Sequence, residues 1–359
     1  MGRTATCLAV AALALAGCTV AEDVGSQPGP TTGAAPSEPA AEPRSEPPDE
    51  GPRGVVTLGF AGDVHFEYHL RGLLTQPRAA FGSLRRVMKE PDLMMVNLES
   101  AITERGTEEP KLYRFRVSAA ALDLLKGAGV DVASLANNHA ADYGAVGLRD
   151  TLAAVRRSPV PVLGVGRDAD AAFRPLRTSI RGTRIAVHVA STKRDRTANH
   201  WAAGDGVPGV AVALHPRGRL LREVRRSAAR AHVVVVYLHW GYEGKPCPTD
   251  NQVEFAEALS AAGADIVVGS HAHVLLGSGW LGETYVSYGL GNFLWYNQHV
   301  PRTGILKIRV KDGEVVGDTW VPARHTADGP ELLAPRERAG AVDDWRALRG
   351  CSGLAAAPR

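Results

Sequence analysis

Histidine, acidic and amide side chains recur in short turns that follow five apolar segments of this chain of 359 residues. The turns are Gly62-Asp63-Val64-His65, Asn97-Leu98-Glu99, Asn137-Asn138-His139, His239-Trp240-Gly241 and Gly269-Ser270-His271-Ala272-His273. Imidazole, carboxylate and amide donors without thiolates suit Mn²⁺, Fe or Zn²⁺ better than Ca²⁺ or a structural zinc. A single histidine is more often a core residue, but agreement among five turns favours a metal site.

Spacing within the turns predicts how the ligands are shared. Asp63 and His65 are two residues apart, as are His271 and His273, so in extended backbone each pair points to one side. The candidate metal ligands are Asp63, His65, Glu99, Asn138, His239, His271 and His273. This set is too large for one tetrahedral ion and suits two ions joined by a carboxylate, an arrangement used in hydrolysis.

The segments before these turns are predicted strands, at 55–61, 93–96, 131–135, 233–238 and 266–268. Further strands are predicted at 160–165, 185–190, 284–287, 305–310 and 314–321, and helices at 118–126, 144–157 and 249–262. Most of the strands are apolar on both faces, which is typical of strands covered by helices. Ligands bind at the carboxyl ends of strands in open α/β sheets. The pattern predicts an α/β domain at 54–325 and leaves open whether it has one sheet or two.

The order of the turns resembles that of calcineurin-like metallophosphoesterases. Their variants here are similar to the CapA, or poly-γ-glutamate capsule-synthesis, family. Further matching pieces are Asp142-Tyr143-Gly144, Glu243 and Tyr288-Gly289-Leu290-Gly291-Asn292-Phe293. The resemblance covers most of 55–300. It implies a four-layer sandwich, in which two central mixed β-sheets are flanked by helices.

The resemblance also implies a role for each site residue. It divides the ligands between two divalent ions, with Asp63, His65 and His273 on the first and Asn138, His239 and His271 on the second. Glu99 would bridge the ions, where these enzymes usually have Asp. His139, beside Asn138, would act as general acid or stabilise the transition state. Many CapA-type sequences lack a histidine at the position of His65, and its presence here favours a site that binds both ions.

Other polar residues give weaker signals. Glu243 and Lys245 follow His239 and are candidates for contacting substrate, with a solvated loop as the alternative. Asn292 lies in a turn after a strand and either lines the pocket or satisfies the turn. The basic cluster of Lys111, Arg114 and Arg116 is interpreted as surface charge, with contact to an anionic substrate as the alternative. The histidines outside the five turns are expected to have structural roles.

The amino-terminal region is predicted to lie outside the folded domain. Residues 1–18 contain a short apolar run and end in Leu15-Ala16-Gly17-Cys18, which looks like a bacterial lipobox with Cys18 as the acylated residue. Residues 19–53 are rich in Pro, Glu and Ala, a composition that predicts a disordered tether. We therefore expect a protein anchored by lipid on the extracytoplasmic side of the cell membrane.

Two cysteines remain once the leader and the lipidated residue are set aside. In an oxidising compartment Cys247 and Cys351 are candidates for a disulfide, with two free thiols as the alternative. Residues 326–359 are predicted to form a weakly structured tail with a short helix near 342–348.

Two functions fit these features. One is a metal-dependent hydrolase acting on an anionic polymer or a phosphoester. The other is a factor that binds or exports a capsule polymer without turnover. The formal net charge is +3, and the acidic residues concentrated in 19–53 leave a mildly basic domain, which is compatible with an anionic partner. Capsule-synthesis machinery is an expected partner, and nucleic acid is not.

Overall fold

The structure is a computed structural model and describes residues 53–76, 78–297, 299 and 301–359. The predicted signal peptide 1–18, with Cys18, lies outside the described residues, as does the predicted tether 19–53 except for its last residue. The strands are β1 (Val56–Val64), β2 (Leu93–Leu98), β3 (Ala101–Ile102), β4 (Arg116–Val117), β5 (Val132–Ser134), β6 (Val162–Leu163), β7 (Val165–Gly166), β8 (Leu176–Ile180), β9 (Thr183–Ser191), β10 (Gly209–Val210), β11 (Val233–His239), β12 (Ile266–Ser270), β13 (Ser278–Leu281), β14 (Thr284–Ser287), β15 (Asn292–Leu294), β16 (Arg302–Lys311), β17 (Glu314–Thr326) and β18 (Gly329–Leu332).

Helices connect these strands. They are α1 (Leu84–Met88), α2 (Ala120–Ala128), α3 (Gly144–Val155), α4 (Ala169–Ala172), α5 (Arg196–His200), α6 (Gly218–Ala228), α7 (Asp250–Ala261) and α8 (Pro335–Ala347). Short 3₁₀ helices occur at Tyr68–Leu74 and Leu348–Cys351. A capping box is present at α7, where the Thr249 hydroxyl accepts the N–H of Gln252 and the Gln252 side chain accepts the N–H of Thr249.

Two mixed sheets form the centre of the fold. The first has the order β18-β17-β16-β1-β2-β5-β6, with β15 paired against β1. The second has the order β13-β14-β12-β11-β9-β8. In each sheet the central strands are parallel and the outer hairpin strands antiparallel. The parallel strands bring their carboxyl ends to the same edge.

The core explains why these strands are apolar on both faces. Alternate residues of β1, including Leu58 and Phe60, pack in one cluster with the second sheet and with residues of α6 and α7. Met94 and Val96 of β2 belong to a second cluster, which includes residues of α1 and α2. Each sheet therefore lies between its partner sheet and a helical layer, and the predicted four-layer α/β sandwich is confirmed.

The prediction that residues 326–359 form a weakly structured tail is wrong. β17 continues to Thr326, β18 pairs with it, and α8 begins at Pro335 rather than near residue 342. Trp345 of α8 is buried and stacks on Trp320 of β17 with ring centroids 5.3 Å apart. Trp345 is a single aromatic residue in a charged, alanine-rich segment. Such a segment has no apolar periodicity from which this packing could be predicted.

The final residues also contact the second sheet. Ala355 forms an isolated bridge with Trp280 of β13, and a disulfide joins Cys351 to Cys247 with Cα atoms 5.6 Å apart. The disulfide connects the carboxy-terminal region to the loop that follows β11. Within the described residues, none of the helices has the length and apolarity needed to cross a bilayer.

Candidate metal centre

Potential ligands converge where β1, β2, β5, β11 and β12 end. Three groups have ligand atoms that all lie within 4.8 Å of one another, namely Asp63, Glu99 and His273, then Glu99, His239 and His271, and finally Glu243, His271 and His273. Glu99 belongs to the first two groups. The Oδ1 atom of Asn138 lies 2.7 Å from Nε2 of His239, which places this amide beside the second group.

Unsatisfied buried atoms show that these residues fit a cation. Both carboxylate oxygens of Glu99 and both ring nitrogens of His271 are buried without a hydrogen-bond partner. Buried polar atoms are normally paired, and a buried carboxylate without a partner is costly. Burial, followed by the negative charges of Asp63 and Glu243, raises the pKa of Glu99 well above its usual value. A divalent cation between the groups would satisfy these atoms.

The ring electrostatics favour neutral imidazoles at two ligand positions. Burial lowers the pKa of His239 well below 6.5, and the neighbouring His271 adds to the effect. Burial likewise lowers the pKa of His271, with Lys193 contributing. Neutral imidazole is the form that binds metal. For His273 burial is the largest single effect and acts in the same direction, but the hydrogen bond and negative charge of Asp63, together with Glu243 and Asn292, outweigh it and the pKa is raised.

A chain of amides fixes the first three strand ends relative to one another. Asn97 Nδ2 donates to Asp63 Oδ1 at 2.8 Å, and Asn97 Oδ1 accepts from Asn137 Nδ2 at 3.0 Å. Asn137 Oδ1 in turn accepts the backbone N–H of His139 at 3.0 Å. These buried bonds hold Asp63 and His139 in a fixed geometry. Asn97 and Asn137 belong to the sequence motifs, but their positioning role was not predicted.

His139 has the surroundings of a proton-transfer residue. Its Nδ1 donates to Asp142 Oδ2 at 2.5 Å, and its Nε2 lies 3.6 Å from Glu99 Oε1. Burial lowers the pKa of His139, although Asp142 opposes this effect. Because Asp142 fixes the tautomer, Nε2 is the ring atom presented to the ligand groups.

Lys111 was misassigned as surface charge. Its Nζ contacts the Asn138 carbonyl oxygen and forms an ion pair with Asp142 Oδ1, and its side chain is only 11% exposed. The backbone N–H of Phe115 donates to the other oxygen of Asp142 at 2.8 Å. A basic residue in a polar loop gives no sign of burial, so the sequence carried no signal for this role.

The structure does not place His65 among the ligands. Its Nδ1 lies 3.0 Å from the backbone N–H of Glu67 and its Nε2 lies 3.4 Å from that of Tyr296, so both ring nitrogens face backbone donors. Phe115 stacks on the His65 ring at 4.7 Å, and Trp295 lies edge-on at 4.2 Å. These two aromatic residues separate His65 from His139 and His273, which contact their other sides.

The three residues predicted to contact substrate differ in their burial and in their distance from the ligand groups. Asn292 is buried and its Oδ1 accepts from His273 Nδ1 at 2.8 Å, so it orients a ligand. Glu243 belongs to the third ligand group although its side chain is 55% exposed. Lys245 lies on the exposed loop after β11.

Two glycines and two strained residues shape the centre. A Cβ atom at Gly62 would lie 1.8 Å from the carbonyl oxygen of Gly291, and one at Gly269 would lie 2.1 Å from that of Tyr288. His271 and His273 have φ angles of 85° and 57°, in a region that residues with side chains rarely adopt. Such strain is typical of functional sites.

The fold and the site together define a class. Two packed mixed sheets lie between helices, and a shared carboxylate joins two groups of candidate ligands at the strand ends. The fold is the metallophosphoesterase-like sandwich, and its strand ends carry residues suited to divalent cations.

Within that class, the chain belongs to the family described as bacterial capsule synthesis protein PGA_cap, whose pattern matches residues 57–297. The PGA biosynthesis protein CapA of Bacillus subtilis (strain 168) is 30% identical over 246 residues, covering 67% of this chain and 63% of the relative. The capsule biosynthesis protein CapA of Bacillus anthracis is 29% identical over 255 residues, covering 67% and 60%. The chain thus spans less than two thirds of the length of these relatives.

A solved structure shows the same fold. A hypothetical protein from Thermus thermophilus aligns with a TM-score of 0.50 and 18% sequence identity. The alignment covers 75% of this chain and 100% of that one.

Proposed function

We propose that this protein is a metal-dependent hydrolase of capsule, or poly-γ-glutamate, biosynthesis, and that it acts on an anionic polymer or a phosphoester. Membership of the capsule-synthesis family and the names of the two Bacillus relatives support the biological role. The single observation that carries the chemical role is Glu99, a buried carboxylate without a hydrogen-bond partner that is shared by two ligand groups.

The ligand groups suit two divalent ions of Mn, Fe or Zn. Asp63, Glu99 and His273 would hold one ion, and Glu99, Asn138, His239 and His271 the other. When bound, such a pair supplies positive charge against the attacking and leaving oxygens of a hydrolysis. Asn292 keeps the ring of His273 turned so that its Nε2 is available.

The protein's own contribution to proton transfer falls to His139. Asp142 holds Nδ1 and is itself held by Lys111, so the orientation of the ring is fixed from behind. In the protonated ring Nε2, on the side of Glu99, carries the second hydrogen and would deliver it to a leaving oxygen, which leaves the neutral ring with its hydrogen on Nδ1. Asp142 would also stabilise the protonated ring.

We also propose that the domain lies outside the cell. Acylation of Cys18 and the tether 19–53 would hold it near the cell membrane while leaving it free to reach a polymer. The Cys247–Cys351 disulfide supports an oxidising compartment, where such bonds persist.

Activity and metal content together test the chemical role. Protein loaded with Mn²⁺ should hydrolyse bis-p-nitrophenyl phosphate or shorten poly-γ-glutamate. His139→Ala should lower turnover roughly 100-fold or more while elemental analysis shows metal content unchanged, because His139 is not a ligand. His200→Ala, which removes a histidine of α5 outside the ligand groups, is the matched control and should retain activity.

The outcomes separate two functions. Bound metal with no turnover of either substrate would favour the alternative, a factor that binds the polymer for assembly or export. Absence of bound metal would overturn the hydrolase proposal.

A further inference from the structure

A cavity of about 480 Å³ lies beside the candidate metal centre and belongs to none of the ligand groups. Its lining includes Lys193, Arg194, Arg217, Trp240 and Gln252, which come from the segments after β9 and β11 and from around α6 and α7. Neither the family motifs nor the metal site account for the cationic side chains in this group.

Two of the lining residues carry buried donors without acceptors. Nε of Arg217 and Nε2 of Gln252 have no hydrogen-bond partner, and the residues are 7% and 3% exposed. An unsatisfied buried donor costs about 1–3 kcal/mol, more when it is charged. Both groups are N–H donors, so the partner that would satisfy them is an acceptor.

Arg217 is held in the cavity wall by weak contacts. Its Nη1 lies 3.4 Å from the exposed Glu254 carboxylate, its Nη2 lies 3.5 Å from the Asn251 carbonyl oxygen, and its guanidinium covers the Phe255 ring at 4.2 Å. The residue also has a φ of 57°, a backbone conformation that residues with side chains rarely adopt. Burial lowers its pKa despite the opposing charge of Glu254. A buried, strained arginine whose one acidic partner is exposed to solvent and contacts only Nη1 is costly unless its Nε is also paired.

Charge in the cavity is unbalanced. Lys193, Arg194 and Arg217 contribute three cations to the lining, and Asp250 is the one carboxylate among the lining residues. The lining therefore attracts an anion. An oxyanion also provides several acceptor atoms, which match the fork of an arginine.

The cavity and the metal centre share a wall. Nζ of Lys193 lies 3.9 Å from Oε1 of Glu243, and the same oxygen lies 3.9 Å from Nε2 of His271. Trp240 and Gly241, which also line the cavity, directly follow the candidate ligand His239. A chain of repeating anionic units at the metal centre would reach this cavity with a neighbouring unit.

We propose that this cavity is an oxyanion subsite, in which Arg217, Gln252, Lys193 and Arg194 bind a carboxylate or phosphate group of the substrate next to the unit at the metal centre. The subsite rests on the proposed function for the identity of its ligand, since that function supplies an anionic polymer or phosphoester. Its donors are independent of the metal ligands, so binding can be measured without metal.

The full chain is first treated with EDTA to remove metal. Binding is then measured by isothermal titration calorimetry. The probes are a γ-linked glutamate pentamer and inorganic phosphate, which distinguish a carboxylate source from a phosphate source. We expect one probe to bind, and Arg217→Met and Arg194→Gln each to weaken it, by roughly tenfold or more for Arg217→Met. Arg226→Met removes a charge from α6, the helix that follows Arg217, at an exposed position paired with Glu223 and should leave binding unchanged.

Folding and function are separated by further variants. Arg217→Lys should keep the charge, lose the fork and bind with intermediate affinity, and equal thermal midpoints for the variants would show that they are folded. Arg194→Gln tests the subsite at an exposed residue that does not support the core. If neither probe binds, or if both variants bind as well as wild type, the subsite is wrong while hydrolysis by Mn²⁺-loaded protein can still hold. If wild type shows no turnover but binding responds as expected, the hydrolase proposal fails and the subsite stands.

Discussion

Acidic side chains occur at both ends of the parallel strands, and they have different surroundings at the two ends. Before β2, β5 and β12, an aspartate accepts the N–H of the second residue of the adjacent strand. The pairs are Asp92 with Thr57 at 2.8 Å, Asp131 with Met94 at 3.0 Å and Asp265 with Val234 at 2.7 Å. At this end each carboxylate satisfies a backbone donor and fixes the register of neighbouring strands.

At the carboxyl ends two buried side chains are left unsatisfied. The carboxylate of Glu99 and the ring of His271 have no hydrogen-bond partners, although both residues are completely buried. A protein selected only for stability would pair or remove such groups. The comparison shows that position relative to the strand, rather than residue type, separates structural acids from site acids.

The largest expected effect is on metal affinity and comes from a substitution at the carboxyl ends of the strands. Glu99→Gln removes the shared carboxylate, so we expect metal affinity to fall by more than about 100-fold, measured by titration with Mn²⁺. Without metal the variant should be as stable as wild type or more stable, because a neutral amide replaces a buried charge. Glu90→Gln, at an exposed ion pair with Lys307, is the control. Full metal affinity in Glu99→Gln would show that this end is not a metal site.

An aspartate at the amino-terminal ends of the strands should make the free energy of unfolding depend on pH. Burial raises the pKa of Asp265 to about 6 from 3.8. Between these values the folded state binds more protons than the unfolded state, so its contribution to the free energy of unfolding falls as pH rises and is constant above about 6. The expected size is on the order of 3 kcal/mol. Urea unfolding of metal-free wild type and Asp265→Asn from pH 4 to 7 measures it, and a pH-independent difference would contradict it.

Asp92, a second aspartate at the amino-terminal ends of the strands, should affect stability without affecting metal binding. Asp92→Ala leaves the Thr57 N–H without its side-chain acceptor, and we expect a loss of about 1–2 kcal/mol in the free energy of unfolding with metal content unchanged. Asp92→Asn retains an acceptor oxygen and should recover part of the loss. If Asp92→Ala loses metal instead, the separation between the two ends is wrong.

The smallest expected effect concerns His65. His65→Phe keeps an aromatic ring between Phe115 and Trp295, and we expect elemental analysis to find the same metal content as in wild type. His273→Phe is the matched substitution in a ligand group and should lose metal. Loss of an ion from His65→Phe would restore this histidine to the ligand set.

The strands and the convergence of their loops could be predicted from the sequence because both depend on local pattern. Apolar runs ended in polar turns at five places, and parallel strands bring such turns together. Glu99, His239 and His271 were found in this way. The capping box of α7 was equally visible, since Thr249 and Gln252 have the required spacing.

The rest depended on geometry that local pattern does not contain. The i, i+2 argument for His65 assumed a regular strand, but β1 shifts register near Asp63 and ends at Val64, so the ring points elsewhere. Lys111 and Arg217 lie in polar segments, and only the tertiary fold buries them. Long-range packing also determined α8, which Trp345 anchors.

The most direct measurement is the metal content of wild-type protein, loaded with Mn²⁺, dialysed against metal-free buffer and analysed for metal per chain. Convergence of the five strand ends predicts about two ions per folded chain. A chain that retains no metal while its thermal unfolding shows it to be folded would contradict the account.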